Sequence, residues 1–254
     1  MQNMKTEIHC SNYFLLLLFI LSNAGPGHRV LGQIPPCQNS VNVEKMNITE
    51  NMPHRNKMNV DSIGLCDLTR TNDSLHFRFW TETQAVDIWT NDYIHFNGLL
   101  ANYTTAVNEP KSKDGSSYSR WGKFYSSVAP IDTTMAREIY QMFTDNSVFE
   151  IPDDKKIKGW GGLRLDGYGY SIEYSTKTTY TYKDYWCPEN FKEVREAVVI
   201  SNMYDSLNQM LHMHETLKSF ISWLPRGCYH YRGIQGICNI SFIDQVIDRT
   251  FRRK

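Results

Sequence analysis

Residues 157–188 read IKGWGGLRLDGYGYSIEYSTKTTYTYKDYWCP, and this stretch decides the fold class. Aromatic and β-branched residues alternate here with polar ones, which is the pattern of β-strands. The alternation predicts three strands, over residues 157–165, 168–174 and 179–186. Asp166-Gly167 is a preferred hairpin turn because glycine accepts positive φ, and a second turn is expected near Thr176-Lys177. We therefore expect an antiparallel meander.

Further strand and helix patterns surround the meander. Alternation predicts strands over residues 75–80, 85–89 and 93–107, with a turn or bulge at Asn97-Gly98 interrupting the last one. Asp132 is suited to cap a helix that runs to Asp145. A long helix is expected after Pro188, followed by an extension or second helix through residue 224 and a short closing helix over residues 243–251. This order predicts the α+β class, an antiparallel sheet packed on one face by helices and stapled by disulfides.

The first 24 residues have the three parts of a secretory signal peptide. Lys5 is basic, Tyr13 to Leu21 form an apolar run of nine residues, and small residues lead to Ala24. Nine residues are too few to cross a bilayer, which takes about 20. We therefore expect cleavage near Ala24 and a soluble, secreted extracellular product with no membrane anchor.

The remainder of the chain divides by composition. Residues 25–64 contain four prolines and little hydrophobic periodicity, which predicts an irregular N-terminal arm. Residues 65–254 are long enough for a single globular domain. The whole chain has 27 basic and 27 acidic residues, and this zero formal net charge disfavours binding to nucleic acid through bulk electrostatics.

Removal of the signal peptide takes away one of six cysteines and leaves an odd number. In an oxidising compartment most of the remaining five should be paired. We expect first a bridge between Cys228 and Cys238, which are close in sequence, and then one between Cys37 and Cys66. Cys187 would be the odd thiol and could link two chains into a dimer, although the sequence leaves the other pairings open.

Four N-x-S/T sequons predict a glycoprotein, at Asn47, Asn72, Asn102 and Asn239. Asn47 and Asn72 lie in polar stretches that suit a glycan. Asn102 and Asn239 adjoin apolar residues, where access for a glycan is poorer. The first two are therefore the more credible sites.

The meander also resembles a signature of uncharacterised exported proteins. The residues that carry this resemblance are Gly159-Trp160, Leu165-Asp166-Gly167, Tyr170, Ile172-Glu173-Tyr174, Tyr182-Lys183 and Tyr185-Trp186-x-Pro188. The resemblance implies a meander followed by a helix, and it implies no catalytic residue and no activity. Arg164 and Cys187 depart from the pattern.

The density of aromatic residues in the meander favours a binding protein over an enzyme. If helices cover only one face of the sheet, rings on the other face are either exposed or covered by a partner. Large flat rings can also stack on a sugar or another flat ligand. We expect an interaction or ligand-binding module for an extracellular protein or glycan, and its candidate ligand-binding residues are Trp160, Tyr170, Tyr174, Tyr182 and Trp186.

Two alternative functions stay open. One is a hydrolase in which Glu173, Asp166 and Asp184 supply the acid and base. The simpler interpretation of Glu173 is a cross-strand ion pair with Lys183. The other alternative is an extracellular matrix or structural component that is cross-linked through the odd cysteine.

The sequence contains no motif of a metal, nucleotide or cofactor site. Histidines occupy positions 212 and 214, but side chains two residues apart diverge on a helix. No C-x-x-C pair, P-loop, dinucleotide fingerprint or nucleophile elbow is present. We therefore expect neither a metal nor a cofactor.

Overall fold

The sheet and helices of the chain are given by a computed structural model that describes residues 47–48, 60, 62–107, 123–161, 167–230 and 236–239. The elements, in chain order, are β1 (Asn47–Ile48), β2 (Leu75–Trp80), β3 (Gln84–Thr90), β4 (Phe96–Thr105), β5 (Phe124–Ile131), α1 (Thr133–Asp145), β6 (Gly169–Ser175), β7 (Thr179–Trp186), α2 (Arg195–Leu211), α3 (Met213–Trp223), β8 (Gly227–His230) and β9 (Gly236–Asn239).

Strands β1 to β7 form one sheet in the order β1-β7-β6-β2-β3-β4-β5. Strands β2 to β7 are antiparallel to their neighbours, and the two residues of β1 pair with β7 in parallel. Strands β8 and β9 form a separate hairpin. The expected α+β class is confirmed, as is the strand predicted over residues 179–186.

Alternation along the strands builds the main core on one face of the sheet. Phe77, Phe79, Ile88 and Ile172 are fully buried there, since every second residue of a strand points the same way. The helices cover this face with residues that recur at helical spacing, among them Ile139, Phe143, Ile200, Met203 and Leu207. Among the described residues, no helix is both long and apolar enough to cross a membrane.

Helix α1 begins where the sequence predicts. The Asp132 carboxylate accepts hydrogen bonds from the backbone N–H groups of Thr134 and Met135, at 2.8 and 3.4 Å. These bonds satisfy two of the donors that the first turn of a helix leaves without an internal partner. The helix ends at Asp145, as expected.

Two predictions about strands are wrong, and one strand was missed. Residues 157–161 are not a strand, because a turn bond from Trp160 N–H to the Ile157 carbonyl and a φ of 88° at Gly159 break the extended backbone. Asn97-Gly98 is not a turn, and β4 runs straight through it. Strand β5 was not predicted at all. The expected hairpin at Asp166 and the closing helix over residues 243–251 lie outside the described residues.

The second face of the sheet is covered by the chain's own residues 60–71. Val60, Ile63 and Leu65 form a cluster with Trp80 and Tyr103, and Leu68 packs on Tyr180 and Tyr182. Trp80, Tyr103, Tyr180 and Tyr182 on this face are therefore buried by the chain itself, while Trp89 is half-buried. The cover begins before residue 65, the expected start of the globular domain.

The bridge between Cys228 and Cys238 is confirmed, with an S–S distance of 2.02 Å across the directly opposed positions of β8 and β9. Cys66 is also disulfide-bonded, and Cys37, its expected partner, lies outside the described residues. Cys187 is a buried thiol. A bond from its sulfur to a second chain would require the residues around it to move.

The position of Gly98 yields a prediction about stability. A Cβ atom at this position would lie 2.6 Å from Ile88 Cδ1 and 3.1 Å from Ile131 Cβ, so both side chains would have to shift to admit it. We expect Gly98→Ala to lower the free energy of unfolding by about 1–3 kcal/mol. At Gly161, where nothing lies within 4 Å of an added Cβ, alanine should change it by less than about 0.5 kcal/mol. Chemical denaturation measures the free energy of unfolding of both variants. Equal changes in the two variants would contradict the close packing of Ile88 and Ile131 against Gly98.

Candidate functional site

Glu173 and Lys183 lie on opposite faces of the sheet. In the β6–β7 pairing Glu173 is opposite Tyr182, and Lys183 is opposite Ile172. The predicted ion pair between them is therefore wrong, because a register offset of one residue sends a side chain to the other face. Lys183 instead donates to the carbonyl of Phe149 at 2.5 Å, and burial lowers the pKa of Lys183 to about 8.

Glu173 belongs to a buried charge cluster, which consists of Asp73, His76, Arg78, Asp87 and Glu173. Arg78 is its centre and is 0% exposed. Its Nε donates to Asp87 Oδ1 at 2.8 Å, and its Nη1 donates to Glu173 Oε2 at 3.3 Å. The third contact runs from Nη2 to the backbone carbonyl of Cys66 at 3.0 Å.

Both oxygens of the Glu173 carboxylate are occupied by donors from the protein. Trp80 Nε1 donates to Oε2 at 2.9 Å, and the Tyr180 hydroxyl donates to Oε1 at 3.0 Å. Burial and the Glu173 charge raise the pKa of Tyr180, so this hydroxyl stays a donor. Glu173 is 0% exposed, and a general acid or base needs to reach its substrate. Its role in this structure is to hold the guanidinium.

The carboxylate of Asp87 stays ionised although it is buried. Burial by itself would raise the pKa of Asp87, but the charges of Arg78 and His76 outweigh it and lower this pKa to about 2. The same pairing raises the pKa of Arg78 above its ordinary value. The pair of Arg78 and Asp87 is therefore ionic at neutral pH.

Of the other two carboxylates proposed for catalysis, Asp184 is among the described residues. Asp184 accepts hydrogen bonds from Ser171 Oγ and the Tyr182 hydroxyl, each at 2.7 Å. Asp166 lies outside the described residues. The described candidates, Glu173 and Asp184, are thus both engaged in hydrogen bonds within the protein.

The five aromatic candidates are divided between the two faces of the sheet. Tyr170 and Tyr174 point toward the helices, while Tyr182 packs on Leu68 on the other face, which Trp186 shares by alternation. Trp160 is buried, and its Nε1 donates to the Trp186 carbonyl at 2.9 Å. The five rings therefore do not form one exposed platform.

Tyr170 is, however, part of a shallow pocket at one end of the sheet. The pocket lies between the β2–β3 turn, the start of β6 and the helices α2 and α3. It is a surface depression whose enclosed volume is only about 10 Å³, roughly the room that one water molecule takes. We name it the tyrosine pocket, and its lining residues are Thr81–Gln84, Tyr168–Tyr170, Tyr204, His214 and Leu217.

Ring stacking and hydrogen bonds fix the walls of the tyrosine pocket. Tyr170 stacks on Tyr204 with ring centroids 4.9 Å apart, and Tyr168 meets Tyr170 edge-on at 6.1 Å. The Tyr170 hydroxyl donates to Glu189 Oε1 at 2.6 Å, and the Tyr204 hydroxyl lies 2.7 Å from His214 Nε2. Burial and Glu189 raise the pKa of Tyr170, so its hydroxyl keeps its proton.

Gln84 joins the sheet to the helices behind the pocket. Its Nε2 donates to the carbonyl of Met213 and to Asn102 Oδ1, both at 2.8 Å. These bonds set the start of α3, which carries His214, against the β2–β3 turn. The pocket is thus held in shape by the fold rather than by a ligand.

Sequence reasoning missed most of the tyrosine pocket. Tyr170 was a candidate, but Thr83 and Tyr204 were not, and His214 was considered only as a metal ligand. These residues come from three distant segments, and no local pattern shows that they meet. The signal that was available, the aromatic alternation of β6, located one wall only.

The sequons differ in their surroundings. Asn102 lies within β4, is 5% exposed and is hydrogen-bonded to Gln84 and Ser127, which leaves no room for a glycan on its nitrogen. Asn72 is partly exposed just before β2. The Asn239 nitrogen donates to the Leu224 carbonyl at 2.6 Å, and Asn47 belongs to β1.

Comparisons with known proteins leave the site to be interpreted from its own geometry. No family model, no curated protein and no solved structure matches this chain. Within the described part of the chain, no group of three or more His, Cys, Asp and Glu side chains is placed to hold a metal ion.

The burial of Glu173 predicts a structural effect when it is changed. Glu173→Gln removes the charge that faces Arg78, and we expect the free energy of unfolding to fall by about 3 kcal/mol. Glu138→Gln is the matched control, because Glu138 is exposed on α1, and it should change stability by less than about 0.5 kcal/mol. Thermal and urea unfolding measure both. An unchanged melting temperature for Glu173→Gln would restore Glu173 as a catalytic candidate.

Proposed function

We propose that this protein is a secreted ligand-binding module whose site is the tyrosine pocket. The observation that carries the proposal is a concave site with three tyrosine rings in its wall, held in place by Gln84 and by the Tyr204–His214 contact. Ligand sites combine aromatic walls with a few fixed polar groups in this way.

The chemistry of the lining favours a small polar ring, such as the terminal sugar of a glycan. Tyr168 is half-buried and supplies an apolar ring surface at the mouth. Thr83, Glu82 and His214 add hydroxyl, carboxylate and imidazole groups that can bond to sugar hydroxyls. Because the pocket is shallow, it suits the end of a glycan chain rather than an enclosed small molecule.

The positions of the carboxylates support binding over hydrolysis. Glu173 is enclosed by Arg78, Trp80 and Tyr180, and Asp184 is bonded to Ser171 and Tyr182. Neither lines the tyrosine pocket. The burial of the Cys187 thiol likewise gives no support to a cross-linked matrix component.

The proposal predicts that glycan binding depends on Tyr168. On a glycan array with the mature protein, Tyr168→Ala should weaken binding of the selected glycan by on the order of tenfold, which corresponds to about 1.4 kcal/mol of lost stacking. Tyr93→Ala is the matched control, because Tyr93 is 51% exposed and follows the other end of β3. Binding that does not saturate, or equal affinities of the two variants, would overturn the proposal.

The proposed secretion and glycosylation of the protein can be tested by expressing it. Expression in a eukaryotic secretory host should release folded protein into the medium without residues 1–24, with a glycan on Asn72 and none on Asn102. Mass spectrometry after enzymatic release of the glycans in ¹⁸O-labelled water identifies the occupied positions. An occupied Asn102 in folded protein would contradict the packing of β4, and retention of residues 1–24 would contradict the signal peptide.

A further inference from the structure

His76 is enclosed between two carboxylates of the charge cluster. Its Nδ1 lies 3.0 Å from Asp73 Oδ2, and its Nε2 lies 3.0 Å from Asp87 Oδ1. The residue is 2% exposed. Ionised carboxylates only accept hydrogen bonds, whereas a neutral imidazole has one donor nitrogen and one acceptor nitrogen. Both contacts are satisfied together only when both ring nitrogens carry protons, so the geometry calls for an imidazolium.

Of the groups that face His76 from the surrounding elements, the carboxylates favour the positive charge of the ring and Arg78 opposes it. Asp73 approaches from the segment before β2, and Asp87 and the Trp89 ring approach from β3. Arg78, on the same strand, shares Asp87 and reaches Glu173 on β6. The charge cluster thus contains three carboxylates and one guanidinium. A positive charge on His76 brings the cluster closer to neutrality.

The contacts of His76 hold a covering segment on the sheet. We define the strap as residues 66–74, which lie over the second face. Arg78 bonds to the carbonyl of Cys66, and Thr71 Oγ1 lies 3.0 Å from Ser175 Oγ. At the end of the strap, Asp73 is linked to β3 through the imidazole of His76.

We propose that His76 is a pH-sensitive clamp that holds the strap on the sheet as an imidazolium and releases it when the ring loses a proton. Without that proton, one of the two carboxylates faces a lone pair instead of a donor, in a site closed to water. A lone pair 3.0 Å from a buried carboxylate oxygen is repulsive, and the carboxylate loses one of its hydrogen bonds. The end of the strap is therefore the part of the cover that opens.

The direction of the pH dependence follows from the environment of the ring. Burial by itself would lower the pKa of His76, but Asp87 and Asp73 outweigh it and raise this pKa above the ordinary value of 6.5. A pKa that is higher in the folded state stabilises the fold fully below the unfolded pKa, and this stabilisation is lost as the pH rises through the folded pKa. The clamp is closed in acid and opens on the alkaline side.

Hydrogen exchange on the wild-type protein provides the test. Between pH 6 and pH 9, the protection factors of the strap amides, corrected for intrinsic exchange, should fall on the order of tenfold, while those of α1 stay constant. His76→Gln should show lower strap protection that no longer changes with pH. His95→Gln is the matched control, because His95 also contacts an aspartate, Asp92 at 2.6 Å, but is exposed, and it should behave like the wild type.

Nitrogen-15 NMR of the wild-type histidines keeps the test decisive if His76→Gln fails to fold. At pH 7 both nitrogens of His76 should give the chemical shifts of a protonated imidazole. A neutral tautomer at this pH, or strap protection in the wild type that is independent of pH, would overturn the proposal.

Discussion

The guanidinium of Arg78 joins three parts of the chain that are far apart in sequence. It binds Asp87 on β3, Glu173 on β6 and the carbonyl of Cys66 in the covering segment, and it has no exposed surface. A buried guanidinium is strongly unfavourable unless its donors are matched by acceptors. The second face of the sheet can therefore close only in the strand register that supplies all three acceptors. The order of β3, β2 and β6 and the placement of the segment around Cys66 both depend on the Arg78 guanidinium.

This dependence explains why Glu173, a catalytic candidate in the sequence, is enclosed by partners from the protein. An alternating strand with Glu173 on its polar face is expected to be open to water on that side. Here the polar face is covered by Val60, Ile63 and Leu65, so its charged residues had to find partners inside the protein. Removing one partner of such a buried ion pair leaves the other charge uncompensated, which is strongly unfavourable.

Local patterns predicted much of the fold, and the errors have physical causes. Capping by Asp132 and the alternation of residues 179–186 are short-range effects, and both were predicted correctly. The glycine at position 98 was taken for a turn, because a sequence does not show that Ile88 lies against it. For the site, the aromatic pattern led to Tyr170 but not to Tyr204 or His214, which reach the pocket only through the packing of α2 and α3.

The closure of both faces also limits where a ligand can bind. Among the described residues, the helices occupy one face and residues 60 and 62–71 pack on the other, so the edges and ends of the sheet offer more open surface than its faces. Along β7 the edge is occupied as well: β1 pairs with its start, and the carboxylates of Asp153 and Asp154 accept from the N–H groups of Asp184 and Trp186, at 3.1 and 2.8 Å. At the end of the sheet near the β2–β3 turn, by contrast, the helices leave the concave space that Tyr168, Tyr170 and Tyr204 line. The binding site that we propose therefore lies at the end of this sheet, although its aromatic sequence suggests a binding face.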